Sequence, residues 1–477
     1  MKIAIRGNIL RGVKASRSGP QVSHLLFADH SILFGEATER GAPSLKQMLR
    51  EYENCSGQCV NYDKSTVFFS TNAQEEDKAV VSKILGVRSS SNSERYLGLP
   101  NTVGRKKKLS FQILKDKMKQ RIESWSVRHL SQGGKEVFIK AILQAIPTYT
   151  MACFLIPKSL CVELKSITAR YWWQKNRDKK DIHWCTWKDL CSLKEDGGLG
   201  FRSLGKFNIA LLAKQGWRLI NYPNTLLSHV LKVKYYPSLD FLKAELGNVP
   251  SLTWKSVWSA KGILEKGLCW RIGTGEHIDV WDDLWVPGAA NRLQNEATNE
   301  EIKLASDLID ANNRKWKIDL VLSTFNEDIA KKILQIPLSE TIYEDFQAWR
   351  GEPLGEYSVR SAYKLLQETN LDPSNSLIQT ENRSFYRNLR NLQITPKIKI
   401  TIWRISWNFI PTLSNLKSKK VAVETLCPRC HAFGEDSNHV FRYCPTTTEV
   451  WSELDLAWVN NNNLQNLWDW LIWIFKQ

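Results

Sequence analysis

Near its carboxy terminus the chain reads LCPRCHAFGEDSNHVFRYCP, which packs three of its ten cysteines into eighteen residues, 427 to 444. Cys427 and Cys430 are separated by two residues; His439 follows after eight more, and Cys444 after another four. Two thiolates, an imidazole and a third thiolate satisfy tetrahedral Zn2+, which accepts soft sulfur and borderline nitrogen, and a CxxC turn lets one loop deliver two ligands. Pro428 and the GEDSN run supply the turns. His431 competes as a ligand, although its place directly beside Cys430 makes simultaneous chelation awkward. The alternative is a chance cluster of buried thiols. Four protein ligands would close the site, making the metal structural, and the spacing predicts that it holds the last helices together.

The charge balance bears on partners. Lys and Arg number 66 against 49 acids, giving a formal charge of +17 in 477 residues. A polyanion is the expected partner, with nucleic acid ahead of an anionic membrane or an acidic protein. Hydrophobic residues make up 43%, enough for a core and for two to four domains. The opening MKIAIRGNILRGVKAS is interrupted by charges and glycines, so it reads as neither a signal peptide nor a spanning helix. The aromatic tail LWDWLIWIFKQ is too short to cross a bilayer and predicts a packed helix. An intracellular protein of the nucleus or cytoplasm is expected, with reduced thiols or metal ligands in place of disulfides.

Along the chain, HLLFADHSILF (24–34) reads as two neighbouring buried strands around an acidic turn. SLKQMLREYENCSG places Leu45, Met48, Leu49 and Tyr52 at helical spacing with Gly57 to stop it, and EEDKAVVSKILG reads as a second short helix. VNYDKSTVFFS and SERYLGLP read as extended segments, giving an α/β region to about residue 100. Beyond it, Phe111, Leu114, Met118, Ile122 and Trp125 form one helical stripe. Gly133 and Gly134 are expected to break that pattern before a helix that Pro147 ends. Residues 101–140 hold eleven Lys or Arg against three acids, a charge pattern that fits a sleeve along a phosphate backbone as well as a solvated helix face. The Trp- and Gly-rich stretch 150–290 shows no fixed repeat, and 289–301 and 367–384 read as linkers. Most of the twenty tryptophans are expected in the core; Trp172 and Trp173, beside Lys175, Arg177, Lys179 and Lys180, read more readily as packing than as a base-stacking platform.

Taken in order, HLLFADH, NYDKS, RYLGLP, the basic helix pair, GGKEVFIKAILQAIPTYTMACF, IHWCTWKDLC, DGGLGFRSL, LLAKQGWRL and the CxxC/HxxxxC cluster resemble the reverse transcriptase of plant non-LTR (LINE-type) retrotransposons with its zinc-binding carboxy-terminal module. The likeness runs over nearly the whole chain. It implies an α/β palm remnant over 1–103, thumb-like and mainly helical basic segments over 104–160, a connector over 161–370 and a small helical zinc-binding module over 380–477. It also implies a fragment: fingers and an earlier palm strand with another metal-binding aspartate would be expected before the hairpin, and none of the 23 residues preceding His24 supplies that motif.

By residue matching, Asp29 falls on the first aspartate of the family's FADD turn and His30 on the second. Two-metal nucleotidyl transfer needs hard carboxylate oxygens converging on paired Mg2+, and imidazole removes both a charge and a hard ligand. The resemblance therefore implies a decayed active site, with Mg2+ as cofactor only in a catalytically active form. Lys64 falls on the family's lysine near the incoming nucleotide, and Tyr96, Leu97 and Gly98 on its primer-grip hairpin. Lys64, Arg105, Lys106, Lys107, Lys108, Lys115 and Lys119 are the candidate contacts to an RNA or DNA backbone; no membrane partner is expected, and no small-molecule substrate apart from a deoxynucleotide in an active form. The reading favoured is an inactive polymerase remnant that keeps zinc and nucleic-acid binding. The alternatives are an active RNA-directed DNA polymerase and a zinc-stabilised interaction module without nucleic-acid affinity.

Overall fold

The structure is a computed structural model that describes residues 12–476 apart from 15, 71, 91–94, 101–102, 104–106, 125–129, 175–181, 288–292, 294–301, 312, 340, 369–375 and 462–463. It is mostly helical with few strands. Two compact units arise, each assembled from three stretches of chain: 1–111, 150–155 and 208–365 in the first, and 112–149, 156–207 and 366–477 in the second.

The first unit begins with two antiparallel hairpins, Val13–Lys14 with Gln21–Val22 and His24–Phe27 with His30–Leu33. The helices that follow form where the apolar spacing predicts them, over Gly41–Ser56 and Glu75–Leu85. Gly57 and Gly86 end them at φ 69, a left-handed conformation that glycine adopts without a Cβ penalty. Glu75, Glu76 and Asp77 in the second helix's first turn complement its dipole. The two helices meet through Ala42, Val81 and Leu85. NYDKS leads into a two-residue strand, Thr66–Val67, parallel to Arg88–Ser89, and Arg95–Tyr96 pairs with Leu99–Pro100.

One expectation is overturned here. The hairpin at 24–33 forms in the anticipated register, Phe27 opposite His30, but its strands are not buried: Leu26 is 62% and Phe27 63% exposed. Among the described residues these strands bond only to each other, as every sheet of the molecule has two strands. Burial of a sheet face requires a second layer, and apolar composition alone does not supply one.

Further along this unit, Leu268–Arg271 pairs antiparallel with Phe346–Trp349. Between these strands the chain encloses a core of Ile278, Val280, Trp285, Ala305, Val321 and Ile333. The RIGTGEH loop is fastened by the fully buried Asp345 carboxylate, which accepts the N–H groups of Gly273, Gly275 and His277 at 2.6, 2.9 and 3.0 Å. Trp254 is fully buried and stacks on Tyr235 at 4.8 Å, so the aromatic richness of this region is largely core.

In the second unit the stripe on Gln112–Ser124 buries Leu114 and Met118, and this helix packs on Lys158–Trp173. Trp172 and Trp173 are 2% and 9% exposed, as the packing reading expects; Lys175, Arg177, Lys179 and Lys180, like Trp125, lie outside the described residues. Gly133 and Gly134 do not break a helix. They occupy the first turn of Gln132–Phe138, where the Ser131 hydroxyl accepts the Gly134 N–H at 3.2 Å. First-turn N–H groups lack intrahelical partners, so a serine cap offsets the glycine penalty there. The helix continues as a π turn over Ile139–Leu143.

The segment read as a linker over 367–384 is helical in all its described residues, 367–368 ending Val359–Glu368 and 376–384 lying within Ser376–Asn391. Its polar side chains find partners on the 194–198 turn: Arg383 Nε lies 2.8 Å from Asp196, and Arg390 donates to the Lys194 carbonyl. In that turn Gly197 sits at φ 83, and its carbonyl accepts both indole N–H groups of Trp403 and Trp407, at 2.7 and 3.0 Å. The tail is the expected packed helix, Leu467–Ile474, with Trp470 and Leu471 buried. No helix among the described residues is long and apolar enough to cross a membrane.

Candidate metal centre

The cluster is built on a knuckle. Leu426 and Gly434 form an isolated antiparallel bridge, the Cys427 N–H donates to the Phe433 carbonyl at 2.8 Å, and the His431 N–H donates to the Cys427 carbonyl at 2.9 Å. His431 takes φ 55 to close this turn. That geometry presents Cys427 and Cys430 together. A π turn over His439–Tyr443 presents the other pair, with the Cys444 N–H donating to the His439 carbonyl at 2.8 Å. Two acidic residues set the turn in place: Asp436 accepts the His439 N–H at 2.7 Å, and Glu435 accepts the Leu413 N–H at 2.8 Å.

The ligand atoms of Cys427, Cys430, His439 and Cys444 all lie within 4.8 Å of one another, and Cys430 Sγ is 3.3 Å from His439 Nε2. A tetrahedral Zn2+ with S and N ligands places those atoms about 3.4–3.8 Å apart, so the donor set fits with small closure. His431 is exposed and outside the cluster. Backbone N–H groups, that of Ala432 foremost, draw the Cys430 thiol down to about 7, while burial pushes the Cys427 thiol up. One arm of the knuckle is therefore poised as a thiolate near neutrality.

The remaining candidates are spread out. The Asp29 side chain is 90% exposed, and His30 Nε2 is 3.9 Å from it; among the described residues the Cys3His set is the single group of three or more His, Cys, Asp or Glu with metal-binding proximity. His30 instead meets the Tyr96 ring edge-on at 6.1 Å. Lys64 is exposed on a turn stapled by Asn61, whose side chain accepts the Lys64 N–H at 3.0 Å. Arg105 and Lys106 lie outside the described residues; Lys107 begins a short helix that includes the exposed Lys108. Lys119 is exposed, whereas Lys115 is tied to Glu163 at 2.9 Å. The same helix brings Lys117, Gln120, Arg121 and Ser124 to one open cleft of about 460 Å3. That grouping was missed although its signal, an i, i+3, i+4, i+7 repeat of polar and basic side chains, is present in the sequence.

A Cys3His knuckle framed by helices defines a zinc-module class, and the family described as zinc-binding in reverse transcriptase matches residues 357–451. Two Arabidopsis thaliana relatives extend the match. "Uncharacterized mitochondrial protein AtMg00310" is 45% identical over 143 residues, covering 30% of this chain and 93% of that protein. "Putative ribonuclease H protein At1g65750" is 27% identical over 355 residues, covering 72% of this chain and 55% of that protein, so the chain spans about half the length of this relative. The chain belongs to the family of plant retroelement-derived proteins that carry the reverse-transcriptase zinc-binding domain.

Proposed function

We propose that this chain is a reverse-transcriptase remnant of a plant LINE-type, non-LTR retroelement that binds RNA or DNA and does not polymerise. The convergence of Cys427, Cys430, His439 and Cys444 within the matched domain carries the reading. These residues would hold one Zn2+, which supplies no reaction with four protein ligands in place but fixes the knuckle and the His439–Tyr443 turn against the last helices. Residues 1–103 correspond on this reading to a partial palm, 104–160 to a thumb, 161–370 to a connector and 380–477 to the zinc module. Nucleic acid is held by the charge of the basic segments, with Lys64, Arg105, Lys106, Lys107, Lys108 and Lys119 at phosphates. Lys115, already neutralised by Glu163, contributes least.

The turn at Asp29 supports the loss of polymerase chemistry, because a solvated carboxylate with an imidazole for a neighbour offers one hard ligand where two ions need several. The test is primer extension on an RNA template with Mg2+ and then Mn2+, beside His30→Asp. Neither protein is expected to extend the primer; template-dependent synthesis by the unmodified chain overturns the inactive reading. Binding is tested by mobility shift at two salt concentrations, with affinity expected to fall steeply as salt rises. A complete absence of shift at low salt leaves a zinc-stabilised interaction module.

A further inference from the structure

Apart from the metal ligands, the second unit contains an open cleft of about 490 Å3 whose lining includes His183, Cys185, Asp189, Trp407, Phe409 and Lys419. Its construction starts with the end of the helix Pro396–Ser406. Asn408 adopts φ 54, and the Phe409 N–H returns to the Arg404 carbonyl at 2.7 Å. A left-handed residue after a helix reverses the chain. Here the reversal carries Phe409 back to the indoles that precede it, 5.8 Å from Trp403 and 5.6 Å from Trp407, the latter only 23° from parallel. Phe409 is buried, while Trp407 stays half-buried with its N–H locked on Gly197. Trp173 joins the array, edge-on to Phe409 at 6.5 Å and 6.3 Å from His183.

The rim carries one ammonium, that of Lys419, and one carboxylate. The next helix, Leu413–Ser418, delivers Lys419, whose ammonium reaches the His183 carbonyl at 3.4 Å, and Lys417, Lys419 and Lys420 are all exposed. The one carboxylate among the lining residues, Asp189, is occupied by the Thr186 N–H and hydroxyl at 3.0 and 2.7 Å.

An orientation-locked aromatic surface left partly open beside the Lys419 ammonium fits a flat, uncharged ring attached to a phosphate. Stacking on aromatic faces and lysine contacts to the backbone are how single strands are held, whereas a duplex keeps its base faces stacked internally. An apolar peptide would leave Lys419 unused, and an acidic one the ring. We infer that this cleft receives an unpaired base of single-stranded RNA or DNA, stacked at Trp407 with the adjoining phosphate at Lys419. It rests on the nucleic-acid reading above and adds to it a contact made to a base.

The zinc-loaded full chain is titrated with labelled oligothymidylate and with an abasic strand of equal phosphate number. The unmodified protein binds the thymidylate about tenfold tighter. Trp407→Ala brings that ratio to one, Trp407→Phe keeps most of it, and Lys419→Gln weakens both strands alike by about threefold with a shallower salt slope. Equal affinity of the unmodified chain for the two strands overturns the base site and leaves nucleic-acid binding standing, whereas no binding of either strand at low salt overturns both. A ratio unchanged in a folded Trp407→Ala, or in Trp407→Leu, which keeps apolar bulk without an aromatic face, should the alanine variant not fold, places the preference elsewhere and overturns the assignment.

Discussion

Two turns in this molecule present metal-type ligands, and they are built very differently. The hairpin at 24–33 holds Asp29 in water, with His30 3.9 Å away and more than half exposed. The knuckle at 426–434 holds Cys427 at 1% exposure, opposite His439 at 5% and Cys444 at 1%. Spacing on the chain is comparable in economy; the surroundings are not. The knuckle's ligands are aimed by a backbone bridge, a π turn and two carboxylates from the intervening loop, while the hairpin's tip gains a single ring contact from Tyr96. A chelating site therefore depends on the groups that hold its ligands still as well as on the ligands themselves.

The sharpest way to break this contrast is to remove the metal. Chelation or Cys427→Ser is expected to reduce bound zinc from one per chain to none, and to abolish amide-exchange protection over 426–453 while exchange at 24–33 stays as it was. Equal protection with and without metal would place the two turns on the same footing. A smaller effect comes from acid. A thiol below its pKa carries a proton that the metal must displace, so binding releases protons and weakens as pH falls; with Cys430 near 7, apparent zinc affinity should drop at least about tenfold per pH unit below that value. Competition with a chromophoric chelator measures it. Glu435→Ala removes the acceptor for the Leu413 N–H and should cost about 1–2 kcal/mol in denaturant unfolding. Smallest is the double change Leu26→Ser and Phe27→Ser, expected to shift stability by less than about 0.5 kcal/mol because both side chains already face water. A loss of several kcal/mol would show that something covers the hairpin.

Local features were readable in advance where the signal is local. Periodic apolar residues and a terminal glycine located the helices at 41–56 and 75–85, and residue spacing located the Cys3His cluster. Exposure of Leu26 and Phe27 was not readable, since burial depends on layers contributed from elsewhere. Gly133 and Gly134 misled because a glycine in a capped first turn looks the same in sequence as one in a break. Polar composition misled at 376–384, where Arg383 finds Asp196 nearly two hundred residues away. The aromatic cleft combines 183–189 with 407–419, a pairing that no window of sequence contains.

Gly197 shows how much can hang on a single backbone unit. A methyl group there would lie 2.5 Å from the Tyr386 ring, at a residue whose own φ already disfavours any side chain. Displacing this turn would strip both indoles of their shared acceptor at once, leaving the buried Trp403 donor unmet and the half-buried Trp407 ring unanchored. Position 197 thus acts as a hinge pin for three aromatic residues supplied by two later helices, and mutational damage at this site should surface as disorder around Phe409 long before it reaches the cysteines.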